Sequence, residues 1–319
     1  MMDINYIKDF FKKPESYALC LCGGGAKGAY QAGVWRYLVE QGLDKRIEAI
    51  SGSSIGSLNV LLFSMDKYLS PEEAWFNAKK EHFFEPNKEN IISPETREQY
   101  AEHKILGRVA DLVKHPLEKG APYSQDAFEK FIRDNLGTEE QIFESGRMLY
   151  VTVGRIAADA LYDNVNHLPI AGEYICLNGK NREEIINYVL ASCAMPPYYP
   201  PKRIGDITYY DGGTADNIPI RALVWARFKN IIVIHLRTPD DPIEMERMHN
   251  TYEGIDLRGV NIWHIWPSDR DIIGKTMEFS QEMSLARMAL GYKDAREQLP
   301  IIDSFFGKKL AILPPEDRD

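Results

Sequence analysis

The N-terminal part of the chain alternates between short apolar runs and longer stretches with helical spacing. Residues 17–22 form an apolar run that ends at consecutive glycines, and from Ala29 apolar side chains recur at helical spacing until Gly42. Residues 46–51 and residues 58–63 then repeat the order of strand, glycine-containing turn and helix. Two consecutive units of this kind predict an α/β fold with a mainly parallel sheet and helices on its faces.

The remaining pattern predicts further strands and a helical region. Residues 66–145 are richer in charged and aromatic side chains, with helix starts indicated at Ser70 and at Ser124. We expect this region to be a helical insertion on the sheet. Strand candidates rich in β-branched and aromatic residues are residues 148–153, 173–177, 207–210, 231–236 and 261–266. Helices are predicted over residues 182–193, 221–228 and 275–299.

Composition and charge narrow the classes of partner. The chain has 319 residues, of which 44% are hydrophobic, so it can bury one large core. Forty-seven acidic residues against 38 basic ones give a formal net charge of −9, which argues against a nucleic-acid partner. Apolar runs such as residues 231–236 are far shorter than the roughly 20 residues that span a bilayer. Since residues 1–14 lack the apolar core of a secretory signal, we expect a cytoplasmic protein, with peripheral contact at membranes left open.

Nothing in the sequence indicates a metal or a cofactor. No pair of cysteines has the spacing of zinc ligands, so we expect four reduced core residues: Cys20, Cys22, Cys176 and Cys193. No calcium-binding loop is evident either. We therefore predict neither a metal nor a cofactor.

A short glycine-flanked segment provides a candidate nucleophile. From Gly52 to Gly56 the sequence is Gly-Ser-Ser-Ile-Gly, and Ser54 has a glycine two residues away on each side. The segment lies where a predicted strand ends and an apolar helix begins. In a nucleophile elbow the glycines are needed because the strained turn leaves no room for side chains beside the serine. By itself the pattern also fits a small-residue turn packed against a sheet.

A second glycine-rich turn follows the first predicted strand and opens a helix. It consists of Gly23, Gly24, Gly25, Ala26, Lys27 and Gly28. Its unpaired backbone N–H groups can point at an anion. Next to a serine nucleophile they would form an oxyanion hole, in which each donor contributes roughly 3 kcal/mol. A nucleotide site is disfavoured because Gly28 and Ala29 follow Lys27 where a phosphate loop needs Ser or Thr, and the dinucleotide pattern is met only in part.

Asp211, followed by Gly212 and Gly213, comes directly after the strand candidate at residues 207–210. At this position a carboxylate can be held rigidly at the sheet edge while the glycines let another loop approach. On its own the segment indicates only a turn.

These elements, in this order, resemble the patatin-like phospholipase family in its bacterial form. Residues 191–201, Asn217-Ile218-Pro219 and residues 291–295 resemble further segments of that family. The resemblance spans about residues 17–299. Two departures are modest: Lys27 stands where plant members have arginine, and Cys22 stands where they have aspartate. Neither removes a catalytic group.

The resemblance implies a three-layer α/β/α fold, a single domain over residues 1–319 with its core at 17–299, and a C-terminal tail at residues 300–319. It implies a serine acyl hydrolase that cleaves fatty-acyl esters of phospholipids or other lipids. Asp211 would accept the proton of Ser54, and loop amides would hold the oxyanion while an acyl-enzyme forms. Burial beside an apolar acyl pocket should raise the pKa of the aspartate. Neither the oligomeric state nor the lipid follows from the resemblance.

The proline-rich segment at residues 195–201 leads towards Asp211. We expect it to form an apolar substrate wall near the acyl entrance, with the wall residues Met195, Pro197, Tyr198 and Tyr199. Packing of the same segment under the helical insertion is the alternative.

Two other functions remain open at this point. A conventional α/β-hydrolase would need a Ser-Asp-His triad, for which His235, His249 or His264 follow Asp211 in the required order. This is disfavoured, because His235 lies in an apolar run and His264 lies between tryptophans. A non-enzymatic lipid-binding protein could also keep the same fold.

Overall fold

A central eight-stranded sheet is the framework of the protein. The computed structural model describes residues 17–87, 121–156 and 170–298. The strands of the sheet are β1 (Tyr17–Leu21), β2 (Ile47–Ser53), β5 (Met148–Ile156), β6 (Ile170–Cys176), β7 (Lys202–Ile204), β8 (Ile207–Asp211), β9 (Asn230–Ile234) and β10 (Asn261–Ile265). Two further strands pair only with each other, β3 (Glu85–Pro86) and β4 (Tyr123–Ser124).

Helices cover the sheet and follow several of its strands. They are α1 (Gly28–Glu40), α2 (Ile55–Ser64), α3 (Pro71–Asn77), α4 (Lys80–Phe83), α5 (Asp126–Asn135), α6 (Glu139–Phe143), α7 (Arg182–Ser192), α8 (Ile220–Trp225), α9 (Pro242–Tyr252), α10 (Arg270–Ile273) and α11 (Gln281–Glu297). A short 3₁₀ turn at Gly25–Lys27 leads into α1, and another at Gly212–Thr214 follows β8.

Along one path the strands lie in the order β10, β9, β1, β2, β5, β8, β7, and β6 pairs with β5. β10, β9, β1, β2 and β5 are parallel to their neighbours in this order. β6, β7 and β8 are antiparallel to the strands they pair with. The predicted α/β class with a mainly parallel sheet is therefore confirmed.

One edge of β5 is shared by two strands. Residues 49–53 of β2 pair with residues 148–152, and β8 continues along the same edge with Asp211 opposite Val153. The other edge of β5 is occupied by β6. The last residues of β2 and β8 therefore stand opposite consecutive residues of β5, although they are far apart in the sequence.

Side chains of β1 point alternately into two apolar cores on opposite faces of the sheet. Leu19 lies in the larger core with side chains of α1, α2 and α11, whereas Ala18 and Cys20 lie in the smaller core with α8. Close packing of α1 on α11 requires Gly33, where a Cβ would stand 1.9 Å from the backbone oxygen of Met288. Helices on both faces give the three-layer arrangement that the resemblance implies.

The last helix is shorter than predicted. α11 begins at Gln281 and not at residue 275, because residues 274–280 form an irregular segment. The Ser280 hydroxyl caps the helix by accepting a hydrogen bond from the backbone N–H of Met283. This irregular segment lies next to the glycine-rich turn, as described below.

Three smaller features differ from the sequence expectations. α9 is absent from the predicted elements, although Asp241 followed by Pro242 is a typical helix start. The N-cap of α5 is Gln125 and not Ser124, whose hydroxyl lies 3.5 Å from the nearest amide of the helix. Cys176 is exposed and not a core residue, because its side chain points away from the core at the outer strand β6.

In the described ranges, no helix combines the length and the apolar character that crossing a bilayer requires. Residues 66–145 contain α3 to α6 and the β3–β4 pair, and residues 88–120 lie outside the described part. The C-terminal tail at residues 300–319 also lies outside it. The division into a single domain with a helical insertion therefore stays a prediction.

Candidate active site

Ser54 stands in a strained turn between β2 and α2. Its backbone has φ 53° and ψ −127°, a conformation that residues with a side chain rarely adopt. A Cβ on Gly52 would lie 2.3 Å from the backbone oxygen of Gly56, and a Cβ on Gly56 would lie 2.3 Å from that of Leu21. Both glycines of the predicted elbow are thus required sterically, because neither position has room for a side chain.

The hydroxyl of Ser54 donates a 2.6 Å hydrogen bond to Oδ2 of Asp211. The other carboxylate oxygen accepts from the amide of Gly213 at 2.7 Å, and the Asp211 amide donates to the carbonyl of Ala194. Each carboxylate oxygen therefore has a fixed partner, and the side chain cannot rotate without breaking one of them.

Burial raises the pKa of the Asp211 carboxyl to about 6, although the hydrogen bonds from Ser54 and Gly213 and the charge of Arg247 oppose the rise. Only 4% of the residue is exposed. A carboxyl with this pKa is still mostly ionised at neutral pH, and it is a stronger base than an ordinary aspartate. The pair thus has the geometry and the basicity for proton transfer from the hydroxyl.

Ser192, at the end of α7, supports the elbow. Its hydroxyl accepts from the Ser54 amide at 3.0 Å and donates to the carbonyl of Thr152 on β5 at 2.6 Å. One buried side chain therefore connects the elbow to the strand beside which Asp211 lies. Ser192 belongs to the family-like segment at residues 191–201, in which the sequence alone indicates no role for it.

The glycine-rich turn passes directly over the elbow. A Cβ on Gly23 would lie 2.9 Å from the Cβ of Ser54. The amide of Gly23 donates to the carbonyl of Asn217, and the amide of Ala26 donates to the carbonyl of Thr276 at 2.8 Å. Among the described residues, no acceptor is bonded to the amides of Gly24 and Gly25, so both remain available to an oxyanion.

Lys27 is buried, with 6% of the residue exposed, which excludes a solvated helix-start lysine. Burial, followed by the nearby charge of Arg237, lowers its pKa to about 8. The residue therefore keeps a positive charge at neutral pH in a position shielded from water.

The irregular segment at residues 274–280 holds the glycine-rich turn from the other side. Gly25 has φ +58°, and a Cβ there would lie 2.3 Å from the Thr276 carbonyl oxygen. The segment is in turn fixed by Arg287 of α11, whose side chain is fully buried. These contacts place the segment against the candidate oxyanion hole.

The guanidinium of Arg287 donates five hydrogen bonds, which matches its number of N–H donors. Its acceptors are the carbonyls of Ile273, Lys275, Glu278 and Ala26 and the carboxylate of Glu278, at 2.8 to 3.3 Å. Because Ala26 belongs to the glycine-rich turn, Arg287 joins that turn to residues 273–278. Ala26 belongs to the predicted turn, whereas no sequence motif indicates Arg287 or residues 273–278.

A narrow apolar cavity of about 40 Å³ lies beside Ser54 and Asp211. Its other lining residues are Gly25, Ile55, Phe83, Phe84, Phe128, Cys193, Met195, Tyr199, Met277 and Phe279. Phe279 stacks on Phe83 with ring centroids 3.9 Å apart. Since small-molecule sites commonly measure about 300–1,000 Å³, an acyl chain can enter only if some of these side chains move.

The four residues of the substrate-wall hypothesis occupy different places. Met195 and Tyr199 line this cavity, whereas Pro197 and Tyr198 are absent from its lining. The Tyr199 hydroxyl also donates to the carbonyl of Phe83, and the Tyr198 carbonyl accepts from Tyr123. The segment therefore contacts both the cavity and the region at residues 66–145.

No histidine within the described ranges is hydrogen-bonded to Ser54 or Asp211. His235 is buried, bonds to Glu244 at 2.7 Å and to His264 at 2.9 Å, and His249 is exposed. Within the described ranges, no histidine is therefore placed to complete a Ser-Asp-His triad with Asp211.

One group of buried side chains in the described residues has the composition of a metal site. Cys22 Sγ lies 3.8 Å from Nδ1 of His235, the same nitrogen that contacts Glu244. Burial lowers the pKa of His235, so a neutral imidazole donating to the carboxylate already accounts for its contact with Glu244.

A protein-family model described as Patatin-like phospholipase matches residues 19–224, which is more than half of the chain. A search of curated proteins finds no significant match. The matched range contains the glycine-rich turn, the elbow and Asp211, and ends before the segment at residues 274–280.

Solved structures that match this chain include VipD from Legionella pneumophila, which is 17% identical, with a TM-score of 0.43, over 92% of this chain and 67% of that one. Human GIVD cytosolic phospholipase A2 is 10% identical over 92% of this chain and 60% of its own, with a TM-score of 0.55. A chain of the ExoU–SpcU complex from Pseudomonas aeruginosa is 14% identical over 90% and 52%, with a TM-score of 0.39. At 10% identity the phospholipase A2 structure shows the fold alone. This chain spans about half to two thirds of the length of each of the three structures.

Proposed function

Because the chain belongs to the patatin-like phospholipase family, we propose that it hydrolyses fatty-acyl esters of lipids, with Ser54 as nucleophile and Asp211 as base. The observation that carries the proposal is the 2.6 Å hydrogen bond from the strained serine to a buried carboxylate. The activity would be that of a phospholipase A-type carboxylic ester hydrolase.

Acylation begins when Asp211 accepts the hydroxyl proton while Oγ of Ser54 attacks the ester carbonyl carbon. The negative charge that develops on the carbonyl oxygen is stabilised by the free amides of Gly24 and Gly25. When the tetrahedral intermediate collapses, the bond to the alcohol breaks, and the departing lysolipid takes the proton from Asp211. The acyl group remains as an ester on Ser54.

Deacylation repeats the same proton transfers with water. Asp211 accepts a proton from the water molecule that attacks the acyl-enzyme, and the same two amides stabilise the second oxyanion. Collapse releases the fatty acid, and the proton returns to Oγ of Ser54. The carboxylate thus acts twice as base and twice as acid, without a histidine.

The apolar cavity favours a fatty-acyl chain over a polar acyl group. Phenylalanine and methionine side chains surround the space next to Ser54, and Asp211 is the one charged lining residue in the part of the chain that the structure describes. The substrate would therefore place its acyl chain in this cavity, and contact with a membrane surface would be peripheral.

Intact-protein mass spectrometry after treatment with a fluorophosphonate tests the proposal. We expect one covalent adduct on the parent protein, mapped to Ser54 after digestion, and no adduct on the Ser54→Ala variant. A parent protein that folds but forms no adduct, or that reacts at another residue, would contradict the proposal and favour a lipid-binding protein of the same fold.

A further inference from the structure

A second cavity lies between α8 and α9, next to the loop that follows Asp211. Its volume is about 600 Å³, within the range of small-molecule sites. From α8 it is lined by Arg221 and Trp225, which stand one helical turn apart. From α9 it is lined by Glu246, Arg247 and other residues at helical spacing. We name this cavity the α8–α9 groove.

The α8–α9 groove adjoins the candidate catalytic dyad, Ser54 and Asp211. Gly213 lines the groove, and its amide donates to Oδ1 of Asp211 at 2.7 Å. Asn217 lines it too, and its side chain donates to the carbonyl of Gly23. The guanidinium of Arg247 is close enough to Asp211 to lower the pKa of that carboxyl. Asp211 lines the apolar cavity and Gly213 lines the groove, so the two cavities adjoin neighbouring residues of one segment.

Two guanidinium groups that line the groove have N–H donors without an acceptor in the described residues. Nη2 of Arg221 donates to the backbone carbonyls of Asn250, Thr251 and Glu253, and its other nitrogens have no protein acceptor among the described residues. Among those described residues, Arg247 forms one ion pair, with Glu244. Its N–O distance of 3.7 Å is longer than a hydrogen bond. Both can therefore donate to a phosphate.

The acidic groups of the groove are not equivalent. The carboxylate of Asp216 accepts from the hydroxyls of Tyr174 and Thr251 and from the amide of Ile218, at 2.6 to 3.1 Å. Its acceptor capacity is thus used within the protein. Glu246 is exposed and lies beside Arg247 on α9, so its charge remains available to a cationic group.

Trp225 is 64% exposed, which is unusual for an indole that lines a cavity. The Tyr174 ring packs against it edge-on, with centroids 5.3 Å apart and an interplanar angle of 90°. An exposed aromatic face near a carboxylate is the arrangement that binds quaternary and primary ammonium groups.

We propose that the α8–α9 groove is the site for a zwitterionic phospholipid head group. Its phosphate would be bound by Arg221 and Arg247. Its ammonium group would lie on the ring of Trp225, near the carboxylate of Glu246. The inference rests on the proposed function, since it assigns the head group of the same lipid whose acyl chain occupies the apolar cavity.

Binding can be measured without turnover in the Ser54→Ala variant. We expect sn-glycero-3-phosphocholine to change the tryptophan fluorescence, and the change to disappear when Trp225→Phe is added. Arg247→Gln should lower the affinity by about tenfold or more, whereas Arg258→Gln, at an exposed arginine paired with Asp256, should leave it unaltered. Inorganic phosphate and choline alone should each bind more weakly than the complete head group.

Equal affinity for inorganic phosphate and sn-glycero-3-phosphocholine would reduce the groove to a phosphate site and overturn the head-group assignment. Absence of binding, or a fluorescence change that persists without Trp225, would overturn it as well. These binding results do not depend on hydrolysis, so failure of the proposed function is recognised separately, by the absence of a fluorophosphonate adduct.

Kinetics provide a second, independent measurement. In Arg247→Gln, the ratio of kcat/KM for phosphatidylcholine to kcat/KM for p-nitrophenyl butyrate should fall about tenfold, because only the phospholipid carries the group that Arg247 binds. Most of this fall should come from a higher KM for phosphatidylcholine. An unchanged ratio would show that Arg247 acts on both substrates alike and would contradict the inference.

Discussion

Two regions build the candidate active site by different means. Residues 23–56 contribute the glycine-rich turn and the elbow, whose roles depend on the shape of the local backbone. Residues 273–287 contribute Thr276 and Arg287, which act on the same turn through backbone carbonyls. The first region lies inside the family-model match and the second lies beyond it. A site can therefore be completed by a segment that has no motif of its own.

The largest effect is expected when the proposed proton transfer from Ser54 to Asp211 is prevented. We expect Ser54→Ala and Asp211→Asn each to lower ester turnover by about a thousandfold or more, since neither variant can transfer the hydroxyl proton to the carboxylate. Turnover of p-nitrophenyl butyrate, with folding checked by circular dichroism, measures the effect.

Histidine variants are the matched controls for this experiment. His249→Gln and His264→Gln should stay within a few-fold of the parent. A loss of about a thousandfold at either one, in a folded protein, would replace the dyad by a triad.

Gly25→Ala tests the point where the two regions touch. Gly25 has φ +58°, and a methyl group there would displace Thr276, so the amides of the turn should lose their alignment with the oxyanion. We expect kcat to fall by about a hundredfold with little change in KM, because these amides act on charge that appears in the transition state.

Gly42→Ala controls for backbone strain alone. Gly42 has a similar φ of +69°, but a Cβ there meets nothing within 4 Å. Both variants carry about 1 kcal/mol of left-handed strain, and only Gly25→Ala should lose activity. If Gly25→Ala and Gly42→Ala had the same kcat and KM, the glycine-rich turn would have no role in catalysis.

Arg287→Met leaves the residues of the first region unchanged but removes the side chain that joins the two regions. It removes the donor to four carbonyls, so we expect a loss of about 3 kcal/mol in the free energy of unfolding. These carbonyls belong to Ala26, Ile273, Lys275 and Glu278. We also expect kcat to fall by roughly tenfold to a hundredfold, since the oxyanion turn loses its support.

A merely structural role for Arg287 would lower the melting temperature and leave kcat of the folded fraction intact. Arg287→Lys should recover part of the turnover, whereas Arg36→Met, at an arginine whose side chain is 58% exposed, should change neither quantity. Unchanged kcat in folded Arg287→Met would restrict the active site to the first region.

The smallest effect is on pH dependence. Because the Asp211 carboxyl has a pKa of about 6 and must be ionised to accept a proton, kcat/KM should fall as pH decreases through 6 and should be about tenfold below its plateau at pH 5. Arg247→Gln should move the midpoint upward, since the charge of Arg247 lowers this pKa. A profile without a transition between pH 5 and 7 would mean that another group is the base.

The sequence predicts those parts of the site whose chemistry requires particular residue types in a short segment. Ser54 and the glycines around it could be assigned because a strained turn tolerates few side chains, and Asp211 because a family resemblance gave its turn a role. The placement of Asp211 beside Ser54 could not be derived, since it depends on the non-local register of β8 along β5.

The roles of Arg287 and Ser192 could not be derived from the sequence either, because they also depend on non-local contacts. Arg287 acts through main-chain oxygens that every residue has, so its acceptors carry no sequence signal. Ser192 looks like any other serine near a helix end until its contacts with Ser54 and Thr152 are known. The start of α9 is different, because Asp241 followed by Pro242 is itself a local helix-start signal.

Because β2 and β8 share one edge of β5, the separation of the candidate nucleophile Ser54 and the candidate base Asp211 does not depend on the length of the loops between them. Thr152 and Val153 are adjacent, and each positions one strand end through main-chain pairing. An insertion in the loops between α2 and β5 therefore leaves the Ser54–Asp211 distance unaltered. A single residue inserted between Thr152 and Val153 would move the two strand ends apart by about 3.3 Å and reverse the side-chain orientation beyond it. The loops between Ser54 and Asp211 can thus be lengthened without separating the two side chains, whereas β5 cannot.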